Sequence, residues 1–573
     1  MYSEKKNVLQ LLALLKAYGI DKIVLSPGNR NVPIVHSIEM DPYFTCYSVV
    51  DERSAAFFAL GLIMKTQKPV AICCTSGTSL MNYGSGIAEA FYQKLPLVVI
   101  SADKSQKYKG QNEGQLIPQS GIYNHIVKKC VDIDEVVTEE DEWYCNRLIN
   151  EALLELDHNG KGPVHINIEI WNKLYNFTVP QLPVVRKISR FTLPTLKTEL
   201  QHYANILKSS KKRMIVFGQS LPINEKEVAI LNNFLKKFNC IIFAESLSNL
   251  HHENVIGNFE RLLIAKTDLQ KRELKPDLVI SMNGFFINEF AIKEFNRKYP
   301  SNEHWHIAED GAVCDQFKCL STIFEGNIYS VLEMFTQSIS DSEVLNDNNF
   351  ISKWKEYDKE MTEKEYSYNY SDMYVVQQFI KVLPQKSSLH IANSSSVRLS
   401  QFFTIDESVQ IFCNRGTNGI DGSFSAAVGY ASLNDDLTFL LIGDLSFFYD
   451  VNAIWNKHVS KNLRILINNN GGASIFHYTV TPELRPTLNL HTAAQHEVSA
   501  RGWVESLGFY YLSASNAKEL EKNLPDFINK NHDKPVVLEV FTDLNTDAQA
   551  FKDQFEQRSV FTKIQDKISK KIF

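Results

Sequence analysis

No run of about 18 consecutive apolar residues occurs in this chain of 573 residues, so no membrane-spanning helix is expected. Nor is a secretory leader expected. The opening MYSEKKNVLQLLALLKAYGI has its apolar stretch broken by Lys16 and lacks a small-residue cleavage site. Val8, Leu11, Leu12 and Leu15 fall at helical spacing, which predicts an amphipathic first helix and a cytoplasmic protein. Positive charge is not in excess. Against 66 Asp and Glu there are 60 Lys and Arg, net charge −6, and no long basic run, so nucleic acid is not an expected partner. Cysteine is sparse: nine residues, with Cys73 and Cys74 inside an apolar run and Cys314 and Cys319 too far apart for the usual metal-binding pair. Free thiols in a reducing compartment follow. No GxGxxG follows a strand-like run and no GxxxxGK[ST] occurs, which removes support for dinucleotide and P-loop chemistry.

What is present is ordinary globular material, 44% hydrophobic and 22% charged. Short apolar runs that stop at Gly, Ser, Asn or Asp alternate with helix-like stretches. They form three sets. The first contains KIVLSPG (22–28), VAICCTSG (70–77), LVVISAD (97–103) and VHINIEI (164–170). After a polar, Pro-containing stretch near 176–197 come RMIVFGQS (213–220), CIIFAES (240–246), DLVISMNG (277–284) and HWHIAEDG (304–311). A charged segment, 341–370, reads as a linker to SLHIANS (388–394), VQIFCNRG (409–416), LTFLLIGD (437–444), LRILINNN (463–470) and VVLEVFTD (536–543). Continuous apolar runs of this kind are parallel strands buried on both faces. The expected fold is therefore α/β, with three open parallel-sheet domains at 1–180, 195–345 and 370–573.

Ligands of such sheets bind beyond the carboxyl ends of the strands. Two of those ends carry a matched pair of motifs. Gly443-Asp444 closes one run, and after 24 intervening residues Asn469 stands at the next, followed by Gly471 and Gly472. An Asp carboxylate, an Asn amide oxygen and the Gly471 carbonyl form an all-oxygen set suited to Mg²⁺, or Mn²⁺, with phosphate completing the shell. The glycines allow the backbone close to a diphosphate. The spacing resembles the diphosphate-binding motif of thiamine-diphosphate enzymes. Such a cofactor needs a carboxylate on its aminopyrimidine ring from another domain. Glu52, in YSVVDERSAAFFALGL, follows a short apolar run and opens a helix, which suits that role; a helix-dipole role for Asp51 or Glu52 is the alternative.

The resemblance extends further. SPGNRNVPI (26–34), DERSAAFFALG (51–61), CTSGTSLMNY (74–83), AEAFYQKLPLVVISADK (88–104), NSSSVR (393–398), NRGTNGIDGS (414–423), GDLSFFYDVNA (443–453) and NNNGGASIF (468–476) are similar to the 2-succinyl-5-enolpyruvyl-6-hydroxy-3-cyclohexene-1-carboxylate synthase family of menaquinone biosynthesis. The resemblance implies that the cofactor attacks 2-oxoglutarate, that CO₂ leaves, and that the remaining succinyl carbanion equivalent adds in a 1,4 manner to isochorismate. It implies Glu52 as the catalytic carboxylate. Thr75, Gly416, Ile420, Gly443, Asp444, Leu445, Ser446, Asn469, Gly471 and Ile475 would lie around the cofactor, with Ile420 propping it in a bent form. Arg30, Lys104, Gln115, Ser394, Arg398, Arg415 and Phe476 would meet the substrates, arginine forks suiting their carboxylates. It also implies a homodimer or homotetramer in which Glu52 of one subunit meets Asp444 of another.

Three departures stand out. Asn29 replaces the serine before Arg30, Lys104 replaces an arginine, and Asn288, Glu289 and Phe290 occupy the place of a basic patch in the central domain, with Lys293 as a candidate substitute. They leave open a paralogue that keeps the donor and uses another acceptor. Simple decarboxylases carry paired histidines in the first domain, whereas His251 and His252 lie in the second. An acetolactate-type enzyme would often bind FAD centrally, and no fingerprint for it is present. A non-catalytic scaffold is disfavoured by the retention of Glu52, Asp444 and Asn469.

Overall fold

A computed structural model describes residues 1–554 apart from 189–198, 313, 341–346, 363–366, 479 and 482. Twenty strands run β1 (Tyr2–Ser3), β2 (Lys22–Leu25), β3 (Thr45–Ser48), β4 (Val70–Cys74), β5 (Leu97–Asp103), β6 (Lys129–Ile133), β7 (Val164–Glu169), β8 (Phe177–Val179), β9 (Arg213–Phe217), β10 (Ile241–Ala244), β11 (Val255–Ile256), β12 (Leu278–Met282), β13 (Glu303–Ala308), β14 (Thr322–Glu325), β15 (Ser388–Ile391), β16 (Gln410–Phe412), β17 (Thr438–Gly443), β18 (Leu463–Asn469), β19 (Tyr510–Ala514) and β20 (Val536–Phe541). Three six-stranded sheets result, ordered β3-β2-β4-β5-β7-β6, β11-β10-β9-β12-β13-β14 and β16-β15-β17-β18-β20-β19. Every pairing within them is parallel. The fold class read from the apolar runs is thus the observed one. A small antiparallel pair, β1 with β8, was not legible as such.

The linker expected at 341–370 holds a helix, Asn348–Thr362, whose Phe350, Ile351 and Trp354 are buried in the central core beside Phe243 and Phe295. Parts of that segment, and of the Pro-containing stretch near 176–197, lie outside the described residues. Among the described residues no helix is long and apolar enough to cross a membrane, and all nine cysteines are free thiols.

The first and third sheets are joined by one continuous core. It runs from Phe57, Phe58 and Leu62 in helix Glu52–Thr66 to Phe424, Ala427 and Val428 in helix Ser423–Ala431. The two helices meet backbone to backbone. A Cβ at Gly61 would lie 2.1 Å from the Ala426 carbonyl oxygen, and one at Gly429 would lie 2.2 Å from that of Phe58. Only glycine permits this approach. The contact fixes the start of helix Glu52–Thr66, and so Glu52, against the third domain.

Candidate active site

Glu52 is the first residue of its helix, capped by the Asp51 side chain, which accepts the Ser54 N–H at 3.1 Å. Asp51 therefore serves the helix end and leaves Glu52 free for another task. The Glu52 carboxylate accepts hydrogen bonds from the Ser79 hydroxyl and from Asn82 Nδ2 at 3.1 Å. It opens on a cleft of about 690 Å³ lined by Pro27, Val50, Met81, Ser85, Asn452 and Trp455, among others. Ser79 and Asn82 lie within a segment already singled out, CTSGTSLMNY, but their bond to Glu52 was not legible from sequence.

Around it the first domain gathers its other expected residues at strand ends. The Arg30 N–H donates to Thr75 Oγ1 at 3.0 Å, and Arg30 Nη1 to the Ile170 carbonyl at 3.0 Å. Gly28 is required here, since a Cβ on it would fall 2.2 Å from that of Thr75. Lys104 is buried, its Nζ 3.3 Å from Glu113 Oε1 and 2.5 Å from the Gly114 carbonyl. Gln115 follows, exposed and at φ +56°, with its backbone against Gly77. Beneath, the buried Gln119 accepts the Gly77 N–H at 2.7 Å and donates to Asn167 Oδ1 at 2.9 Å, tying the 75–77 turn to the sheet.

The third domain builds the second centre. Asp444, 2% exposed, follows β17 and opens helix Asp444–Tyr449; its Oδ1 accepts the Leu445 N–H at 2.6 Å and its Oδ2 the Gly472 N–H at 3.0 Å. Asn469 Nδ2 donates to the Val498 carbonyl (2.9 Å) and to Glu539 Oε1 (2.8 Å). These two acceptors fix the amide so that Oδ1 points the other way, where only the Gly471 N–H, at 3.1 Å, meets it. Gly471 turns at φ +73°, and a Cβ on it would lie 2.8 Å from the His496 carbonyl oxygen. His496, unforeseen from sequence, donates its N–H to the Gly471 carbonyl at 2.9 Å. Its Nε2 stands 3.4 Å from Asp444 Oδ2, and that carboxylate raises the imidazole pKa. A carboxylate, an oriented amide oxygen and a carbonyl, all with lone pairs to spare, fit a hard divalent cation, through which a diphosphate would be held.

The remaining expected residues flank this centre. Ser446 Oγ donates to the Ile420 carbonyl at 2.5 Å, holding Ile420, 37% exposed, beside the helix that Asp444 opens. Ser394 (φ +72°) caps helix Ser395–Ser400, which carries Arg398. Ser395 accepts from the Tyr478 hydroxyl at 2.9 Å, joining that helix to the turn bearing Ile475 and Phe476. Arg415 is buried; its Nη1 donates to Asn393 Oδ1 (3.1 Å) and its Nη2 to the Phe286 carbonyl (3.3 Å). Segment 286–288 is in turn held by Glu245, whose carboxylate accepts the Ile287 and Asn288 N–H groups at 2.5 and 2.8 Å. Burial pushes the Glu245 carboxyl up to about 7. The suggested substitute cation is otherwise engaged. Helix Glu289–Lys298 places Lys293 one turn after Glu289, and the two pair at 2.6 Å.

These strand ends define a thiamine-diphosphate enzyme. Residues 7–122 match the family model for the N-terminal TPP binding domain of thiamine pyrophosphate enzymes, and 393–540 match the C-terminal one. The chain belongs to the 2-succinyl-5-enolpyruvyl-6-hydroxy-3-cyclohexene-1-carboxylate synthase family. It is 44% identical to the synthase of that name from Bacteroides fragilis over 97% of its own length and 100% of the relative's. Identity to the Bacteroides thetaiotaomicron synthase is 43% over 97% and 99%, and to that of Flavobacterium johnsoniae 37% over 93% and 95%.

Proposed function

We propose that this chain decarboxylates 2-oxoglutarate and adds the remaining four-carbon unit to isochorismate, as a synthase of menaquinone biosynthesis. The observation that carries the reading is 44% identity to such synthases over 97% of the chain, both site-bearing domains included. Bound thiamine diphosphate supplies a nucleophilic carbon for decarboxylating a 2-oxo acid and passing on what remains. Glu52 holds and returns a proton at ring N1′, its carboxylate aimed by Ser79 and Asn82. Asp444, Asn469 and Gly471 hold Mg²⁺ or Mn²⁺, while Gly443, Leu445, Ser446, Thr75 and Gly416 line the cofactor, and Ile420 and Ile475 bracket it. Arg30, Lys104, Arg398 and Arg415 take the substrate carboxylates, with Gln115, Ser394 and Phe476 completing the walls. The three-domain division at 1–180, 195–345 and 370–573 goes with this assignment.

The assembly reading has its own support. The described residues lining the Glu52 cleft include Asn452 and Trp455 but none of Asp444, Asn469, Gly471 or Ile420. Val50, Met81 and Trp455 expose 45, 55 and 45% of their surface around it. A second copy's third domain therefore completes the site, giving a homodimer or a pair of dimers. Sizing with an in-line assay tests this: an active monomer overturns it.

The test of function is purified protein with thiamine diphosphate, Mg²⁺, 2-oxoglutarate and isochorismate, following product mass and CO₂ together. The succinyl adduct is expected. CO₂ release without it would favour the second reading, another acceptor, for which the Glu289–Lys293 pair and Phe290, 74% exposed, are the supporting observation.

A further inference from the structure

Loop 413–420, which carries Arg415, Gly416 and Ile420, is held by all three domains. The Cys413 carbonyl accepts from Gln93 Nε2 (3.2 Å) and from Gln219 Nε2 (2.6 Å). Asn393 Nδ2 donates to the carbonyls of Asn414 (2.6 Å) and Gly419 (2.7 Å). The centre of the loop rests on one side chain of the first domain, Glu89 in helix Gly84–Tyr92, 1% exposed. Glu89 Oε1 accepts the Gly416 N–H at 3.0 Å and Gln93 Nε2 at 2.5 Å. Its Oε2 accepts the Thr417 N–H and the Thr417 hydroxyl, each at 2.7 Å.

Four donors therefore converge on two oxygens. Only an ionised carboxylate accepts all four; a protonated acid or an amide turns one of its own hydrogens toward a donor. Among the described residues no Lys or Arg pairs with Glu89, so two loop N–H groups, the Thr417 hydroxyl and the Gln93 amide together satisfy its buried oxygens. A Cβ at Gly416 would lie 3.0 Å from the Glu89 carbonyl oxygen, so backbone packing and hydrogen bonds fix the same two residues.

We propose that Glu89 is a positioning residue for substrate recognition, its carboxylate setting the backbone at 416–417 and through it the aim of Arg415. It touches neither substrate nor cofactor. The inference rests on the assignment of Arg415 to a substrate carboxylate and deepens it.

The test is Glu89→Gln in the full-length protein, with KM and kcat for both substrates, thiamine-diphosphate affinity by tryptophan fluorescence, and thermal melting. The substitution is nearly isosteric, and it converts one acceptor oxygen into a donor facing two donors. KM for the substrate held by Arg415 should rise about tenfold, with kcat, cofactor affinity and melting temperature changing far less. Thr417→Val, which removes one donor only, should raise the same KM about threefold. An unchanged KM in folded Glu89→Gln overturns the proposal. So does a parallel fall in melting temperature, cofactor affinity and kcat, the mark of a merely structural role. Should Glu89→Gln not fold, a silent Thr417→Val overturns it. Arg415→Gln separates the two assignments. If it too leaves every KM unchanged, the loop does not meet substrate; if it raises KM while Glu89→Gln does not, only the role of Glu89 fails.

Discussion

The first and third sheets share one strand order and place opposite chemistry at equivalent ends. Counted along the chain, each runs second, first, third, fourth, sixth, fifth. After the second strand the first domain presents Glu52 and the third presents Arg415. After the third strand come Thr75 and Asp444, and after the fourth, Lys104 and Asn469. On the proposed assignments the same frame yields an acid–base carboxylate in one copy and a metal-ligand set in the other, because function sits on the loops and not on the topology. The central sheet sharpens the point. Its order, third-second-first-fourth-fifth-sixth, is that of dinucleotide-binding folds. Yet at its switch point a Cβ on Gly218 would lie 2.2 Å from the Gly284 carbonyl oxygen, and Gln219 reaches across to Cys413. The switch point of the central sheet is thus closely packed and tied to loop 413–420.

If the two outer domains divide the work in this way, their carboxylates should fail differently. Asp444→Ala should abolish metal-dependent retention of thiamine diphosphate on gel filtration. Glu52→Gln should retain the cofactor and lose about 10³-fold in turnover. Near-normal turnover in the second variant, or undiminished retention in the first, would remove the distinction. The reciprocal helix contact offers the next largest effect. Gly61→Ala and Gly429→Ala each push a methyl into a carbonyl of the facing helix, and each should cost about 3 kcal/mol in denaturant unfolding of that junction. A loss confined to one of them would show that the two sides are not equivalent.

Strands interior to a sheet were legible and most edge strands were not. VAICC, LVVISAD and LVISM are buried along their whole length, so hydrophobicity alone marks them. TCYS in β3 and YYLSA in β19 lie at sheet edges, half exposed and polar, without a continuous apolar run. The ends of β17 and β18 announced Asp444 and Asn469 through a fixed spacing. Glu89 and Asp450 gave no such signal, since each has a partner across the domain junction that is remote in sequence: Gly416 lies 327 positions from Glu89, and Ser54 lies 396 from Asp450. Lys293 pairs with Glu289 for a local reason, the helical turn that brings the two side chains together.

Asp450 offers the smallest effect and the finest contrast with Glu89. Both are buried carboxylates near the junction of the first and third domains. Asp450 accepts the Ser425 N–H and hydroxyl, each at 2.8 Å, and the Ser54 hydroxyl at 3.3 Å. Burial pushes its carboxyl up to about 6, against the pull of Ser425, Arg53 and Ser54. The native state therefore binds this proton more tightly than the unfolded chain, whose value is 3.8. Stability falls as pH rises between those values, and the cost is fully present above about 6. In Asp450→Asn the amide oxygen still accepts from Ser425 and the amide donates to a serine hydroxyl, with no charge to bury. The variant should equal or exceed the parent by about 1 kcal/mol at neutral pH and show a shallower slope between pH of about 4 and 6. Some slope should survive, because burial also raises the carboxyls of Asp372 and Asp547, the latter to about 6. Urea unfolding across that range decides it: an unchanged slope would mean that Asp450 takes up no extra proton on folding and that burial does not govern its titration.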